Sequence, residues 1–488
     1  MNTFDISIIV IYFVAMVAIG VYAGKRQQGM DDYFLGGRNM GAVTLATLWM
    51  AGWIGGTSVV GTASNGYSMG ITAVWYVFSI AVGLVVFGTV MTKPVKLISD
   101  KLNNITIPDF MESRYDTKVR IVTSFCIICA MIGFTASQFT AGASILNVLT
   151  GWDPGKCYLM AGVVITVYVA AGGLLAVTYT DWIQMILLLA GVTVIGIPLT
   201  AAALNDTGSS LATALPPEYF DIGRRGWGEI LTLTVSSGIS FFTMMDSYTR
   251  IVSAKSAKAA RNGTFLAAIA VVIIALSCTY IGMAAKAILP SSEMAANNNA
   301  LAAMVVEVFP HGVKALVLVG VLCAIMSTAD ISIVIASTSG TKDIYMRFIN
   351  PEAKEKNVVL LGLAISLVVG LLGGLLGWYI NDVISILMLT FTIQSAGLFL
   401  PIICAFFWKR ASANAAFVSM VSAATIIIFW FIGGMVSDAA IFDVRALWPA
   451  MGVSGILFVI LSVSHKKTAE EEEKAELFYA ATKRQEVR

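Results

Sequence analysis

The sequence predicts an all-α protein that crosses a lipid membrane many times. Of its 488 residues, 58% are hydrophobic and only 12% are charged, and the mean hydropathy is +0.83. Soluble domains carry about twice that charged fraction. Apolar runs of ~20 residues recur from one end of the chain to the other, and each is long enough to cross the hydrocarbon core of a bilayer.

Thirteen such runs are separated by polar segments. They cover residues 5–23, 43–65, 70–91, 119–142, 157–175, 181–202, 227–247, 264–287, 313–336, 357–377, 383–408, 413–434 and 447–464. Alternate connecting segments hold 25 of the 31 Lys and Arg residues, namely 24–42, 92–120, 249–262, 338–357, 409–410 and 466–488. The positive-inside rule places these segments in the cytoplasm. We therefore expect a multi-pass protein of the plasma membrane (the inner membrane, in a bacterium) with its N-terminus outside and its C-terminal tail in the cytoplasm.

The run at 313–336 carries polar groups where a membrane helix is normally apolar: Ser327, Thr328 and Asp330. Such groups are costly at that depth and usually mark an ion or substrate pathway. At about 100° per residue, Ser327 and Asp330 lie one above the other with Thr328 beside them. Oxygen ligands of this kind suit a hard cation. The two hydroxyls could instead bond back to carbonyls one turn earlier, and it is Asp330 that favours a functional site.

Two further runs are interrupted by glycine and hydroxyl residues. Residues 48–58 read LWMAGWIGGTS, and residues 235–246 read VSSGISFFTMMD. Glycine weakens a helix, and opened backbone at mid-membrane is tolerated only where it lines a cavity or an ion site. Close helix packing through small residues is the structural alternative. Because the two runs lie five segments apart, they predict the broken helices of an inverted-repeat transporter.

The remaining segments add one candidate site and exclude some functions. Residues 172–184, GGLLAVTYTDWIQ, predict a turn and then a helix whose first turn carries Asp181. That carboxylate could cap the helix or reach a cation near Asp330. The chain has no GxxxxGK[ST] nucleotide-binding loop and no soluble domain long enough for catalysis, so we expect a gradient-driven transporter and no enzyme. The 288–312 stretch is expected to form a loop with a short helix, and the acidic tail a solvated helix or a disordered end.

At these motifs the chain resembles the sodium/solute symporter family, the group of the proline, pantothenate, sialic acid and sugar symporters. The likeness rests on DDYFLGGRNMG at 31–41, GGLLAVTYTDWIQ at 172–184 and AIMSTADISIVIASTSGTKDIY at 324–345, and it extends over essentially the whole chain. It implies a leucine-transporter-like fold, with a five-plus-five inverted-repeat core whose first and sixth helices are broken. The implied division is an extra helix and lead-in at 1–42, repeats at 43–202 and 203–408, two extra helices at 409–465 and a tail at 466–488.

The resemblance also implies a sodium site. Its ligands would be the carbonyls of Ala51, Ile54 and Ala324 and the hydroxyls of Ser327 and Thr328. Some members have a second sodium site, built around the acid matching Asp181 and hydroxyls matching Asp330 and Ile331. Because this chain has a carboxylate and an apolar side chain at the last two positions, Asp181 and Asp330 could hold a second cation, carry a proton or tune the first site.

Within the family, LWMAGWIGGTSVVGTA at 48–63 is most similar to the choline-transporter branch, where the matching Trp encloses a quaternary ammonium by cation–π contact. The other aromatic residues expected of such a cage are missing. The candidate substrate-binding residues are Trp53, Gly55, Thr57, Gln138, Phe241, Phe242 and Gln394. No Lys or Arg falls in the middle of a core helix, which argues against strong recognition of an acidic sugar. Carboxylates could still be held by the N–H groups of the opened helices.

The leading hypothesis is a sodium-coupled importer of a small polar or zwitterionic organic solute: an amino acid, a betaine or choline-like compound, a sugar or a carboxylate. Na⁺ is expected as the coupling ion, without an organic cofactor. Membrane lipid is the other expected partner, nucleic acid is not, and a monomer would suffice. One alternative is a proton-coupled symporter that uses Asp330 and Asp181. The other is a membrane sensor without transport, for which the short tail offers no signalling domain.

Overall fold

The fold is described by a computed structural model that covers residues 3–24, 38–290, 299–380, 383–437 and 439–483. Most of the first resemblance motif, residues 31–37, lies outside this range. The helices are α1 (Thr3–Gly24), α2 (Ala42–Trp53), α3 (Thr62–Met69), α4 (Val74–Val90), α5 (Thr92–Leu102), α6 (Ile107–Arg114), α7 (Thr117–Thr150), α8 (Pro154–Leu188), α9 (Ile197–Asp206), α10 (Leu211–Ala214), α11 (Trp227–Thr243), α12 (Met245–Ser253), α13 (Ala257–Ile288), α14 (Ala300–Ala303), α15 (Val313–Thr338), α16 (Glu355–Ile380), α17 (Val383–Phe407), α18 (Ala413–Val436), α19 (Leu447–Ser464) and α20 (Ala469–Thr482). Short π-helical stretches lie at Thr57–Gly61, Leu189–Gly196, Met304–Val308 and Ser339–Ile349.

Nine helices in the described part of the chain are long and apolar enough to cross a membrane, compared with thirteen apolar runs in the sequence. Part of the difference has a physical cause. The chain leaves the helical conformation after Trp53, so α2 has only 12 residues, and α11 stops after 17 residues at Thr243. The protein is therefore a polytopic, all-helical membrane protein, as predicted, with two of its apolar runs divided.

Both divided helices lie where glycine and hydroxyl residues interrupt the apolar pattern. The last helical bond of α2 runs from the Ile54 N–H to the Met50 carbonyl at 2.7 Å, and Ile54 has φ −101° and ψ 76°. The Ser58 hydroxyl bonds to the Trp53 carbonyl at 3.0 Å, which satisfies part of the opened backbone. In the second case, Met244 is extended between α11 and α12, with φ −79° and ψ 127°.

The turn predicted at the start of residues 172–184 is not seen, because α8 is helical from Pro154 to Leu188. Its two ends contact α16 and α15. Helices α15 and α16 are antiparallel, because the Ser337 hydroxyl near the end of α15 bonds to the Gly362 carbonyl near the start of α16. The Tyr158 hydroxyl bonds to the Gly374 carbonyl near the other end of α16 at 2.9 Å. Near the end of α8, the Leu187 carbonyl lies against α15, where a Cβ on Gly320 would come within 2.8 Å of its oxygen.

Helix α15 lies at the centre of the bundle, and its apolar length is buried throughout. It packs against α7, α8 and the broken helix α2. We call the side of the bundle that carries Met40, α5, α6 and the end of the π-helical stretch Ser339–Ile349 the basic side, since it holds the segments rich in Lys and Arg.

The C-terminal helix α20 is not the solvated helix that the charge pattern predicts. Its Phe478 is fully buried, with the ring centroid 5.2 Å from that of Phe406 on α17. Thr468 and Glu471 form a capping box at its start, which satisfies N–H groups that a helix end otherwise exposes. The helix packs on α5, α6 and α17, so it belongs to the folded basic side.

Candidate functional site

Four of the five predicted sodium ligands converge where the break in α2 meets α15. The Thr328 hydroxyl lies 2.9 Å from the Ala51 carbonyl and 3.1 Å from the Ala324 carbonyl. The Ser327 hydroxyl lies 3.2 and 3.1 Å from the same two carbonyl oxygens. The hydroxyls therefore bond back one turn, as the structural alternative predicts, and also reach across to α2.

The glycines at the break in α2 allow this close approach. A Cβ on Gly55 would lie 2.8 Å from both the Thr328 hydroxyl oxygen and the Gln138 Oε1. The next N–H, that of Gly56, donates to Gln138 Oε1 at 3.2 Å. The opened backbone thus has a partner on α7, and Gln138 joins the predicted substrate residues to the predicted ion site. The fifth ligand residue, Ile54, is fully buried at the same break.

A cavity adjoins this cluster. Trp53, Gly55 and Gln138 of the predicted substrate set line it, and Thr328 belongs to both cavity and cluster. Ligand sites in transporters of this architecture lie beside discontinuous helices near the bilayer midplane. The predicted ion and substrate residues therefore share one wall.

Three other predicted substrate residues, Phe241, Phe242 and Gln394, are buried and are not among the residues that line the cavity. Phe241 is fully buried and stacks on Trp53, with ring centroids 3.7 Å apart and planes at 15°. Phe242 points into another aromatic cluster, where it makes edge contacts with Phe87 and Phe399. Gln394 is fully buried, and neither polar atom of its amide has a hydrogen-bond partner in the described part of the chain.

The seventh predicted residue, Thr57, has a side chain that lies outside the described part of the structure. Two aromatic residues complete the wall instead: Phe134 on α7 and Phe391 on α17 both line the cavity, with ring centroids 5.8 Å apart. Phe134 was visible in the sequence as a residue near Gln138, whereas the pairing with Phe391 depends on how α7 and α17 pack.

Arg445 is a charged lining residue that the sequence analysis did not predict. It comes from the loop between α18 and α19, outside the core helices that were searched for basic residues, and it is exposed at the cavity. The sequence does place Arg445 among the six basic residues outside the basic segments. That asymmetry indicates the side of the membrane, but it does not show that the loop returns to the site.

The two carboxylates proposed for a second ion are both fully buried. In the described part of the chain, neither oxygen of Asp181 has a hydrogen-bond partner, although the guanidinium of Arg250 acts on it electrostatically. Arg250 lies 3.6 Å from Asp246 Oδ2. Asp330 is on α15, two residues beyond Thr328. Arg250 and Asp246 form a buried ion pair that the sequence motifs did not single out.

The basic side below the cavity is closed by contacts between α12 and the start of α2. The Met40 N–H donates to the Ser253 carbonyl at 3.0 Å, and the Lys255 N–H donates to the Met40 carbonyl at 3.1 Å. We call this pair of backbone bonds the Met40 clasp. Arg250 also donates to the Leu48 carbonyl on α2, so side-chain and backbone bonds hold the same two segments together.

An ion cluster closes the basic side further out. Arg120 pairs with Asp109 at 2.9 Å, Glu112 at 2.7 Å and Asp343 at 2.8 Å. These contacts join α6 and α7 to the stretch that extends α15. Burial alone would raise the pKa of Asp109, but the charges of Lys342 and Arg120 hold it below its ordinary value, so the carboxylate is ionised at neutral pH.

Comparison with known proteins identifies the family. A model of the sodium:solute symporter family matches residues 33–423. The chain belongs to the sodium:solute symporter family. Sodium/proline symporters of Staphylococcus aureus are among its relatives: those of strains bovine RF122 / ET3-1 and JH9 are each 26% identical over 480 residues, covering 94% of this chain and 92% of the relative. The resemblance and the transport class predicted from the sequence are confirmed, and this symporter is sodium-coupled as its family is.

Solved structures confirm the fold class of this symporter. A sodium-coupled sialic acid symporter, in a substrate-bound outward-open state, aligns with a TM-score of 0.77 at 20% identity, covering 96% of this chain and 99% of that one. MhsT in complex with L-phenylalanine aligns with a TM-score of 0.50 at 13% identity, covering 86% and 98%. The predicted leucine-transporter-like architecture is therefore correct, while the choline-branch detail remains a prediction.

Proposed function

We propose that this symporter imports a small polar or zwitterionic organic solute together with Na⁺ by alternating access. The observation that carries the proposal is the meeting of Ser327, Thr328 and the carbonyls of Ala51 and Ala324, beside a cavity lined by Trp53. A neutral set of hydroxyl and carbonyl oxygens can replace the water of a monovalent cation.

The Na⁺ ligands in this proposal are those four oxygens together with a fifth, the Ile54 carbonyl. Their chemistry fits the ion, because all five are neutral oxygens of buried residues, two at the break in α2 and three on the facing helix α15. The hydroxyls now donate to the carbonyls that would be their fellow ligands. Binding Na⁺ therefore requires Ser327 and Thr328 to turn their hydrogens away and present lone pairs.

Coupling follows from where the ligands lie. Na⁺ held between the break in α2 and α15 would favour the state in which those two helices are together. The same state completes the cavity beside Trp53 and Gln138, so solute and ion each bind it better. Such coupling must be reciprocal: the solute should raise the affinity for Na⁺ by the factor by which Na⁺ raises the affinity for solute.

We further propose that Asp181 and Asp330 serve a second ion, either a cation or a proton. The support is Asp181, a fully buried carboxylate without a hydrogen-bond donor in the described part of the chain. Charges at that depth are costly and usually functional. An Asp181→Asn variant should change the number of coupled ions, and a change in the pH profile of uptake without a change in ion stoichiometry would assign the site to a proton.

For the arrangement in the membrane, we propose that the basic side faces the cytoplasm, the N-terminus lies outside and the two repeats divide near residue 202. The support for this orientation is that 25 of the 31 Lys and Arg residues lie in segments assigned to that side. The support for the repeats is the pair of glycine-interrupted runs five segments apart. The cavity would then receive solute from outside.

The test compares the double variant Ser327→Ala with Thr328→Val against a control variant, Thr338→Val, at the end of α15. Thr338 bonds back to the Val334 carbonyl at 2.8 Å and is not part of the ion site, so it is the matched control. The double variant should lose the sodium-dependent rise in melting temperature that a bound ion gives, and the control should keep it. Unchanged sodium affinity in the double variant would refute the ligand assignment. Sodium-dependent solute binding without uptake in liposomes would instead favour a sensor.

A further inference from the structure

The wall of the cavity carries a positive charge. Among its described lining residues, Arg445 is the only charged one. The remaining wall is aromatic, hydroxyl and amide, including Trp53, Gln138 and Phe391. Within the described part of the chain, the Arg445 guanidinium forms neither an ion pair nor a hydrogen bond. Its donors are therefore available at the mouth of the site.

The loop that carries this guanidinium is held in place. The Trp430 indole N–H donates to the Val444 carbonyl, next to Arg445, at 2.8 Å. Phe442 packs edge-on against Trp430, with ring centroids 5.6 Å apart. The Phe442 ring also lies close to Gly433 on α18, where an added Cβ would be 2.2 Å from it. On the other side, the Trp448 N–H bonds to the Arg445 carbonyl at 3.1 Å. The backbone on both sides of Arg445 is thus fixed to helices α18 and α19.

We propose that Arg445 binds a carboxylate of the transported solute and makes the cavity selective for carboxylate-bearing substrates. A guanidinium presents donors in a fork that matches a carboxylate, often with two parallel bonds. An ammonium on the same solute would meet the aromatic faces of the wall. A cation without a carboxylate would face the uncompensated charge of Arg445 and be disfavoured. This separates a betaine from choline, and an amino acid from its amide.

The family match ends at residue 423, before this loop. Arg445 therefore lies outside the matched region, which covers the helices of the ion site. The inference rests on the proposed transport function, and it adds the chemical class of the solute. It assigns Trp430 as a positioning residue, since its indole holds the backbone beside Arg445 without lining the cavity.

The experiment measures melting temperature for the full-length protein in Na⁺ and in K⁺ with matched solute pairs. The pairs are glycine betaine and choline, proline and prolinamide, pantothenate and panthenol, and glucuronate and glucose. We expect a carboxylate member to stabilise the protein in Na⁺ only, and its partner without a carboxylate to have no effect. Arg445→Gln should lower the affinity for that carboxylate-bearing solute roughly 10- to 100-fold, the usual contribution of a charge-assisted bond. Arg445→Lys should lower the affinity less.

Two further variants separate the roles. Trp430→Phe keeps Arg445 but removes the indole hydrogen bond to the Val444 carbonyl. It should therefore lower the affinity for the carboxylate-bearing solute by less than Arg445→Gln does. Lys156→Gln, at an exposed basic residue away from the cavity, should behave as wild type. A stabilising solute that lacks a carboxylate, equal affinity in Arg445→Gln, or no effect of any carboxylate would overturn the inference. Loss of the sodium effect in the wild type would mean that the proposed function itself fails.

Discussion

At the scale of single residues, glycine sets how closely the groups of the ion site can approach. Gly55 lies against both Thr328 and Gln138, and Gly52 lies against Arg250 Nη2 and Asp246 Oδ2, where a Cβ would come within 2.6 and 3.0 Å. The glycines in the interrupted run therefore do two things: they release the helix at the break, and they leave room for side chains from α7, α12 and α15.

A Gly55→Ala substitution should impair sodium binding without unfolding the protein. The new methyl would lie at 2.8 Å from the Thr328 hydroxyl oxygen, so that hydroxyl must move away from the Ala51 carbonyl. We expect the sodium concentration for half-maximal uptake to rise by about tenfold or more, the effect of roughly 1.4 kcal/mol. Gly238→Ala is the control, since nothing lies within 4 Å of a Cβ there. Equal sodium dependence of the two variants would count against the assigned ligand set.

Sequence reasoning could propose the ion-site residues because helix geometry fixes neighbours along one element. Ser327 and Thr328 lie about 100° apart on the same turn of α15, and the resemblance supplied their partner Ala51. Arg445 could not be found in this way. Its place at the cavity depends on a loop path that is set by Trp430 and Phe442, which are contacts between residues far from any recognisable motif.

At the scale of elements, the two broken helices are linked by one member of a buried ion pair, which donates a hydrogen bond from α12 to α2. Arg250 on α12 pairs with Asp246 one turn earlier and also donates to the Leu48 carbonyl on α2. Both charged side chains are almost completely buried, at 4% and 2% exposure. The sequence predicted both breaks, because glycine and hydroxyl residues mark them locally, but not the link between them, which is a tertiary contact.

Removing Arg250 alone should destabilise the protein by about 3–5 kcal/mol, since it leaves buried carboxylates without a counter-charge. The double variant Arg250→Met with Asp246→Leu should cost less than Arg250→Met alone, because the second change removes an unpaired charge. Denaturant or thermal unfolding of the four proteins in the cycle measures this coupling. Arg347→Ala, which breaks an exposed pair with Glu112, should cost below about 1 kcal/mol. A double variant as unstable as the sum of the single ones would contradict the buried pair.

The C-terminal helix shows where the charge pattern misled the sequence analysis. Its acidic and basic residues predict solvation, yet Phe478 fills a space beside Phe406 that only the packed helices create. Phe478→Ala should lower stability by about 3–5 kcal/mol, the usual cost of emptying a buried aromatic site. Glu473→Ala, on the exposed face, should leave the melting temperature unchanged. Equal melting temperatures for both variants would mean that α20 does not pack as described.

At the scale of the whole molecule, the two sides of the bundle differ in access to the site. The cavity reaches Trp53 from the side of the Arg445 loop, while the Met40 clasp, Arg250 and the Arg120 ion cluster close the basic side. Alternating access requires these contacts to separate when the cavity closes on the opposite side. In the proposed transport cycle, this arrangement corresponds to the state that is closed on the basic side.

Side-specific labelling tests this description. In a variant without the six native cysteines, a cysteine at Ser237, which lines the cavity, should react with an impermeant maleimide only from the side opposite the basic side. Na⁺ should increase that labelling, because the proposed ion site favours this state. A cysteine at the exposed Ser464 on the basic side is the control and should react only from the other face. Equal labelling of the Ser237 position from both faces in Na⁺ would refute the closure.

The Met40 clasp differs from the other closures because main-chain atoms alone make it. Replacing Met40 or Lys255 by alanine leaves both backbone bonds available, so an alanine scan would not detect the Met40 clasp. Proline at either position removes the N–H that donates, and a proline scan should therefore detect what alanine does not. Because backbone atoms make both hydrogen bonds, the side chains at these positions are not constrained by them. Chains with quite different residues there could form the same two bonds.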